Sequence, residues 1–140
     1  MGNGESITKV FIVEDSALMY LRIAQAVKAI RGLSVTGAAS DADGALAAIR
    51  ASSPDALIVD IQLREGSGLD VLQQIKSERP EIKTLVLSNS ATLPYQHAAA
   101  IAGADYFLDK STEFGQLAGI LKKWAALPSV VAPCASPTAH

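Results

Sequence analysis

Five short apolar runs recur along the chain: KVFIV (9–13), LSVTGAA (33–39), DALIVD (55–60), KTLVLS (83–88) and DYFLDK (105–110). The first, third and fourth are rich in Val, Ile and Leu without polar alternation, which is the pattern of strands buried on both faces. Helical stretches separate them, expected over 16–30, 42–51, 67–78, 93–102 and 113–125. Phe114, Leu117, Ile120, Leu121 and Trp124 form one stripe, so the last helix has a single buried face. Leu69, Leu72 and Ile75 repeat that pattern in the third. Ser67, with Asp70 three residues on, reads as an N-cap pair, and SERP ends the same helix before Pro80. The fourth, LPYQHAAAIAGA, is Ala-rich and has the weakest stripe. Strict alternation of strand and helix implies a parallel sheet covered on both faces through right-handed crossovers, a doubly wound five-stranded α/β fold.

A chain of 140 residues with 49% hydrophobic content suits one domain with an ample core. Charged residues make up 19% and the net charge is −2, so there is no basic field to draw in a nucleic acid or an anionic membrane. No apolar run approaches the ~18 residues of a membrane span, and MGNGESITK lacks a signal peptide's apolar core. The expectation is a soluble, cytoplasmic protein with no membrane insertion. Cys134 is the single cysteine and fits a reducing compartment. Gly2 with Ser6 matches a myristoylation pattern, but a Gly/Asn/Ser leader is more often a loose end. The organisation expected is a flexible leader (1–6), one domain (7–126) and a disordered tail (127–140). Most of that tail, PSVVAPCASPTAH, carries three prolines and no period.

Ligands of open parallel sheets bind outside the carboxyl ends of the strands. Those ends carry Glu14 and Asp15 (first strand), Asp60 (third), Ser88 (fourth) and Lys110 (fifth), while the second ends in Ala38, Ala39 and Ser40. Two carboxylates about 4 Å apart repel by roughly 4 kcal/mol at an effective dielectric near 20, so the cluster needs a cation or extra protons. Hard carboxylate oxygens suit Mg²⁺, and an ammonium beside them adds a fixed positive charge. A divalent ion, an ammonium, a hydroxyl and a spare carboxylate together match a phosphoryl group, with Asp60 as candidate nucleophile.

The motifs VFIVEDS, LIVDIQL, VLSNS and GADYFLDKS, in this order and spacing, resemble the receiver domain of two-component response regulators over about residues 7–126. The resemblance, to stand-alone chemotaxis-type regulators in particular, implies a flavodoxin-like sheet of order 2-1-3-4-5. It implies that Asp60 is the phosphoacceptor. Asp15, Asp60 and the Gln62 backbone carbonyl would hold Mg²⁺, with Glu14 acting through water. Lys110 and Ser88 would bind phosphoryl oxygens, and Phe107, three residues before the lysine, would be the switch aromatic. Tyr106 faces the other side of its strand by alternation. The implied partners are a histidine kinase or histidine phosphotransfer protein as donor, and a downstream protein on the face formed by helix four, strand five and helix five. The chain is then a phosphoacceptor signalling domain, its only chemistry self-phosphorylation and autodephosphorylation, and not an enzyme acting on a separate substrate.

The sequence departs from that family at several points. Ser111 stands where a proline, often after a cis bond, commonly follows the lysine. Asn89 stands where a small residue commonly follows the hydroxyl, and Arg64 replaces a usual proline. Gln62 and Ser90 lie at positions that tune phosphoryl lifetime. Three alternatives stay open: a phosphate-independent pseudo-receiver, a receiver cut from a longer regulator such as a transcriptional one, and an aspartate-nucleophile phosphohydrolase. The last resembles a D-x-D motif after strand one, whereas Asp60 lies on strand three and is followed by Ile61 and Gln62. Taken singly, Asp15 and Ser16 also fit a helix N-cap. DADG (41–44) resembles a calcium loop, but Arg50 replaces the glutamate it needs, so it reads as a helix start. His97 has no second histidine or cysteine near it and reads as neither metal ligand nor phosphohistidine. Asp109 is expected to point away from Lys110.

Overall fold

The computed structural model describes residues 7–89 and 92–126. The leader, the tail with Cys134, and Ser90 lie outside them. Five parallel strands form one sheet: β1 (Thr8–Val13), β2 (Leu33–Ala39), β3 (Ala56–Asp60), β4 (Lys83–Ser88) and β5 (Tyr106–Asp109). Their spatial order is β2-β1-β3-β4-β5, the expected doubly wound topology. The connecting helices are α1 (Ala17–Lys28), α2 (Ala42–Ser52), α3 (Gly68–Glu78), α4 (Leu93–Ala102) and α5 (Leu117–Ala126).

The unbroken apolar runs are explained by a core on each face. Val10, Ile12, Ile58, Leu85, Leu87 and Leu108 face α1 and α5, where Ile23, Val27, Leu121 and Trp124 meet them. Phe11, Val13, Leu57 and Val59 face α2 and α3, against Ile49, Val71 and Ile75. Ile61, Leu72, Val86 and Ala99 make a smaller cluster beneath α4. Successive strand residues thus enter opposite cores, and neither face needs a polar residue.

Helix starts follow the local chemistry. Ser16 caps α1 by accepting from the Met19 N–H at 3.2 Å, and Asp41 caps α2 by accepting from Gly44 N–H at 2.7 Å. DADG is therefore a helix start. Ser67 caps α3 through Leu69 N–H, with Asp70 in the first turn, and α3 stops at Glu78 ahead of Pro80. Two expected helices are drawn too long at one end. The first stops at Lys28, two residues before Ile30. The last begins as a single 3₁₀ turn (Phe114–Gln116) and becomes α-helical at Leu117.

Candidate functional site

Glu14 and Asp15 follow β1, Asp60 closes β3 and Lys110 follows β5, so three parallel strands deliver them to one edge of the sheet. One carboxylate oxygen from each of Glu14, Asp15 and Asp60 lies within 4.8 Å of the others, the one such group among the described residues. Lys110 Nζ stands 2.9 Å from Glu14 Oε1 and 3.1 Å from Asp60 Oδ2. Glu14, Asp60 and Lys110 are buried, while Asp15 is half-buried and keeps a route to solvent.

Two of the three carboxylates, Glu14 and Asp60, share one ammonium here. Glu14 Oε2 accepts the Ser16 N–H at 3.0 Å. Glu14 Oε1 is within ion-pair range of Lys110 but poorly aligned with it, and so is buried without a directed hydrogen bond. A buried acceptor left over inside an acidic cluster fits a hard divalent cation. Burial, reinforced by the charge of Glu14, raises the Asp60 carboxyl from 3.8 to about 6, against the opposing pull of Lys110 and the Gln62 N–H. Burial works against the Lys110 ammonium, but Glu14 and Asp60 outweigh it and raise its pKa above the ordinary value.

The other expected residues sit around this centre. Gln62 N–H donates to Asp60 Oδ1 at 3.3 Å, which keeps Gln62 on the rim. Asp60 pairs across the sheet with Leu87, so buried Ser88 lies one residue beyond it, at the end of β4. The Ser88 carbonyl accepts the Lys110 N–H at 2.8 Å, joining the β4 and β5 ends. Phe107 is not part of the charged cluster: it is half-buried against Ile61, Val86 and Ala99 beneath α4. Tyr106 faces the other core and meets Trp124 edge-on, with centroids 6.5 Å apart.

No peptide bond among the described residues is cis. After Lys110 the turn is instead closed by Asp109, whose Oδ1 accepts from Ser111 N–H at 2.7 Å, Ser111 Oγ at 2.6 Å and Thr112 N–H at 3.1 Å. Asp109 thus serves the turn and stays outside the carboxylate cluster. Asn89 and Arg64 are exposed, and His97 lies on the exposed side of α4.

Gly68 was not apparent as a site residue from the sequence. It opens α3, and its N–H donates to the Ile61 carbonyl at 2.8 Å. A Cβ there would fall on the carbonyl oxygen of Asp60. The only sequence signal is the run Gly66-Ser67-Gly68, whose first glycine has φ of +90°.

Residues 10–122 match the family described as the response regulator receiver domain. The chain belongs to that family. Receiver domains of this family serve two-component signal transduction and phosphorelay. It is 32% identical over 108 residues to the probable transcriptional regulatory protein TcrX of Mycobacterium tuberculosis, covering 77% of this chain and 45% of that protein. The DNA-binding transcriptional activator DevR/DosR of the same organism is 27% identical over 83% of this chain and 54% of its own length. The receiver thus spans about half the length of these curated relatives. Among solved structures, the phosphorylated cyanobacterial phytochrome response regulator RcpA is 26% identical, with a TM-score of 0.73 over 94% of this chain and 100% of that one. A CheY-like receiver protein of Methanospirillum hungatei JF-1 superposes with a TM-score of 0.76, at 24% identity over 86% of this chain and 94% of that one. That second likeness concerns the fold. No helix among the described residues is long and apolar enough to cross a membrane.

Proposed function

We propose that this receiver accepts a phosphoryl group on Asp60 from the phosphohistidine of a kinase or phosphotransfer protein, and that the new charge switches partner binding. One observation carries the reading: buried Asp60 and Lys110 meet Glu14 and Asp15 at the carboxyl edge of the sheet. An Asp60 carboxylate oxygen attacks phosphorus, the donor's P–N bond breaks, and its electron pair stays on the imidazole. Lys110, already between Glu14 and Asp60, is placed to follow the transferred charge onto a phosphoryl oxygen. Ser88, at the next strand end, is the candidate donor to a second oxygen. Mg²⁺ held by Asp15, Asp60 and the Gln62 carbonyl, with Glu14 acting through water, would offset charge on the phosphoryl oxygens. A cleft of about 360 Å³ lies beside Glu14 and Asp15, bounded by Ala38 and Ala39.

The test is intact mass after incubation with Mg²⁺ and acetyl phosphate. A gain of one phosphoryl group is expected in the wild type and none in Asp60→Asn. No gain in a wild type exposed to a donor proven on another receiver would favour a phosphate-independent docking module. The output face proposed is α4, β5 and α5, with a protein rather than a nucleic acid as partner, given the net charge of −2. Phe107, packed beneath α4, is the proposed relay. Phosphodonor should shift amide resonances throughout α4, β5 and α5 in the wild type, but in Phe107→Ala only near Asp60. Equal spread in both proteins would remove Phe107 from the switch.

A further inference from the structure

The Gln62 side chain springs from the rim of the site, where its own N–H is bound to Asp60 Oδ1. It extends to α4, and Nε2 donates to the Tyr95 hydroxyl at 3.4 Å. Tyr95 lies 33 residues further along the chain, so this contact joins the acceptor loop to a separate element. The Tyr95 ring is half-buried against the cluster of Ile61, Leu72, Val86 and Ala99. Phe107 packs against the same cluster. The phenol is therefore fixed at its apolar end by the packing under α4 and bonded at its polar end to the rim of the phosphorylation site.

We propose that Tyr95 sets how long a phosphoryl group survives on Asp60, by tethering the Gln62 carboxamide and so making hydrolysis depend on the packing of α4. The proposal rests on Asp60 being the acceptor. Hydrolysis requires a water oxygen to attack phosphorus opposite the Asp60 oxygen. The P–O bond breaks, its electron pair returns to the carboxylate, and the water's protons leave with inorganic phosphate. A carboxamide offers both a donor and an acceptor, and so can hold that water without itself taking a proton. Tied to Tyr95, Gln62 has one end engaged elsewhere; released, both ends are available over the phosphoryl group. Tyr95 is thus a positioning residue. Because it shares its packing with Phe107, a rearrangement of the aromatic switch, or a partner pressing on α4, would alter hydrolysis without touching Asp60. The bond is long and exposed, so the tether is readily broken and the effect is graded.

Autodephosphorylation of wild type, Tyr95→Phe, Gln62→Ala and the double variant should be followed by intact mass after removal of donor. Tyr95→Phe is expected to shorten the lifetime about threefold, within the range one neutral hydrogen bond supports. In the Gln62→Ala background the same change should have no effect. A lifetime unchanged by Tyr95→Phe, or altered equally in both backgrounds, would overturn the proposal, since loosened packing alone would act with or without Gln62. The tether also has a readout independent of phosphorylation: the side-chain amide resonance of Gln62 in the metal-free protein. It should move in Tyr95→Phe, and a resonance that stays put means there is no tether. Failure of the wild type to gain a phosphoryl group would overturn the acceptor reading itself, a result the resonance experiment keeps separate.

Discussion

Asp60→Asn is expected to melt several degrees above the wild type at pH 7.5 without metal, while losing most of its response to Mg²⁺. Burial and the neighbouring Glu14 raise the Asp60 carboxyl to about 6, so the folded protein ionises this group less readily than the unfolded chain does. The sign follows directly. Between about pH 4 and pH 6 the folded state keeps a proton that the unfolded state has lost, so wild-type stability falls as pH rises through that window. Above it the full cost is present, of the order of 3 kcal/mol. Asparagine has the same shape and no charge to bury, and Lys110 keeps Glu14 at 2.9 Å. The gain corresponds to roughly 10 °C in a domain of this size.

Mg²⁺ reverses the comparison in the wild type. A cation that binds only the folded state stabilises it by mass action and does so best above pH 6, where no proton competes for Asp60. Melting curves from pH 4.5 to 8, with and without MgCl₂, check both halves of this expectation. A variant no more stable than wild type at pH 7.5, or one that responds to Mg²⁺ just as strongly, would show that Asp60 is not a strained member of a cation site.

Much of the fold could be read in the sequence because its determinants are local. Short Val- and Ile-rich runs without alternation, bounded by helical stretches, read as strands covered on both sides, and Ser67 or Asp41 before a helical stretch caps it whatever lies across the sheet. The clustering of Glu14, Asp15, Asp60 and Lys110 was legible for a similar reason: in a parallel sheet, every strand's last residue points toward one edge, so position along the chain stands in for position in space. What escaped depends on contacts between distant segments. Nothing near Gly68 in sequence says that its α-carbon touches the Asp60 carbonyl, and nothing near Tyr95 says that its hydroxyl reaches Gln62. The start of α5 was misplaced because Phe114 continues the apolar stripe, although its turn is 3₁₀. There Arg22 of α1 lies 4.3 Å above the Phe114 ring, a tertiary contact that the periodicity could not reveal.

Gly68→Ala should be the most damaging single methyl that can be added to the domain near the site. The new Cβ would coincide with the Asp60 carbonyl oxygen and approach Val59 Cγ1 to 2.8 Å. The first of these is backbone, which cannot rotate aside as a side chain can. Either α3 must lift away from β3, breaking the 2.8 Å bond from Gly68 N–H to the Ile61 carbonyl, or Asp60 must shift relative to Lys110. Overpacking a core typically costs 1–3 kcal/mol, and a clash with fixed backbone puts this change at about 3 kcal/mol or more. Acceptance of phosphoryl from acetyl phosphate should fall at least tenfold even at temperatures where circular dichroism reports a folded chain, because attack demands positioning within about 1 Å. Gly119→Ala is the control. It sits on the exposed side of α5 with nothing within 4 Å of a Cβ. Better helix propensity should make it more stable by up to about 1 kcal/mol, with phosphorylation unaltered. If both substitutions behaved alike, the close approach of α3 to the Asp60 carbonyl would not be what holds Asp60 in place.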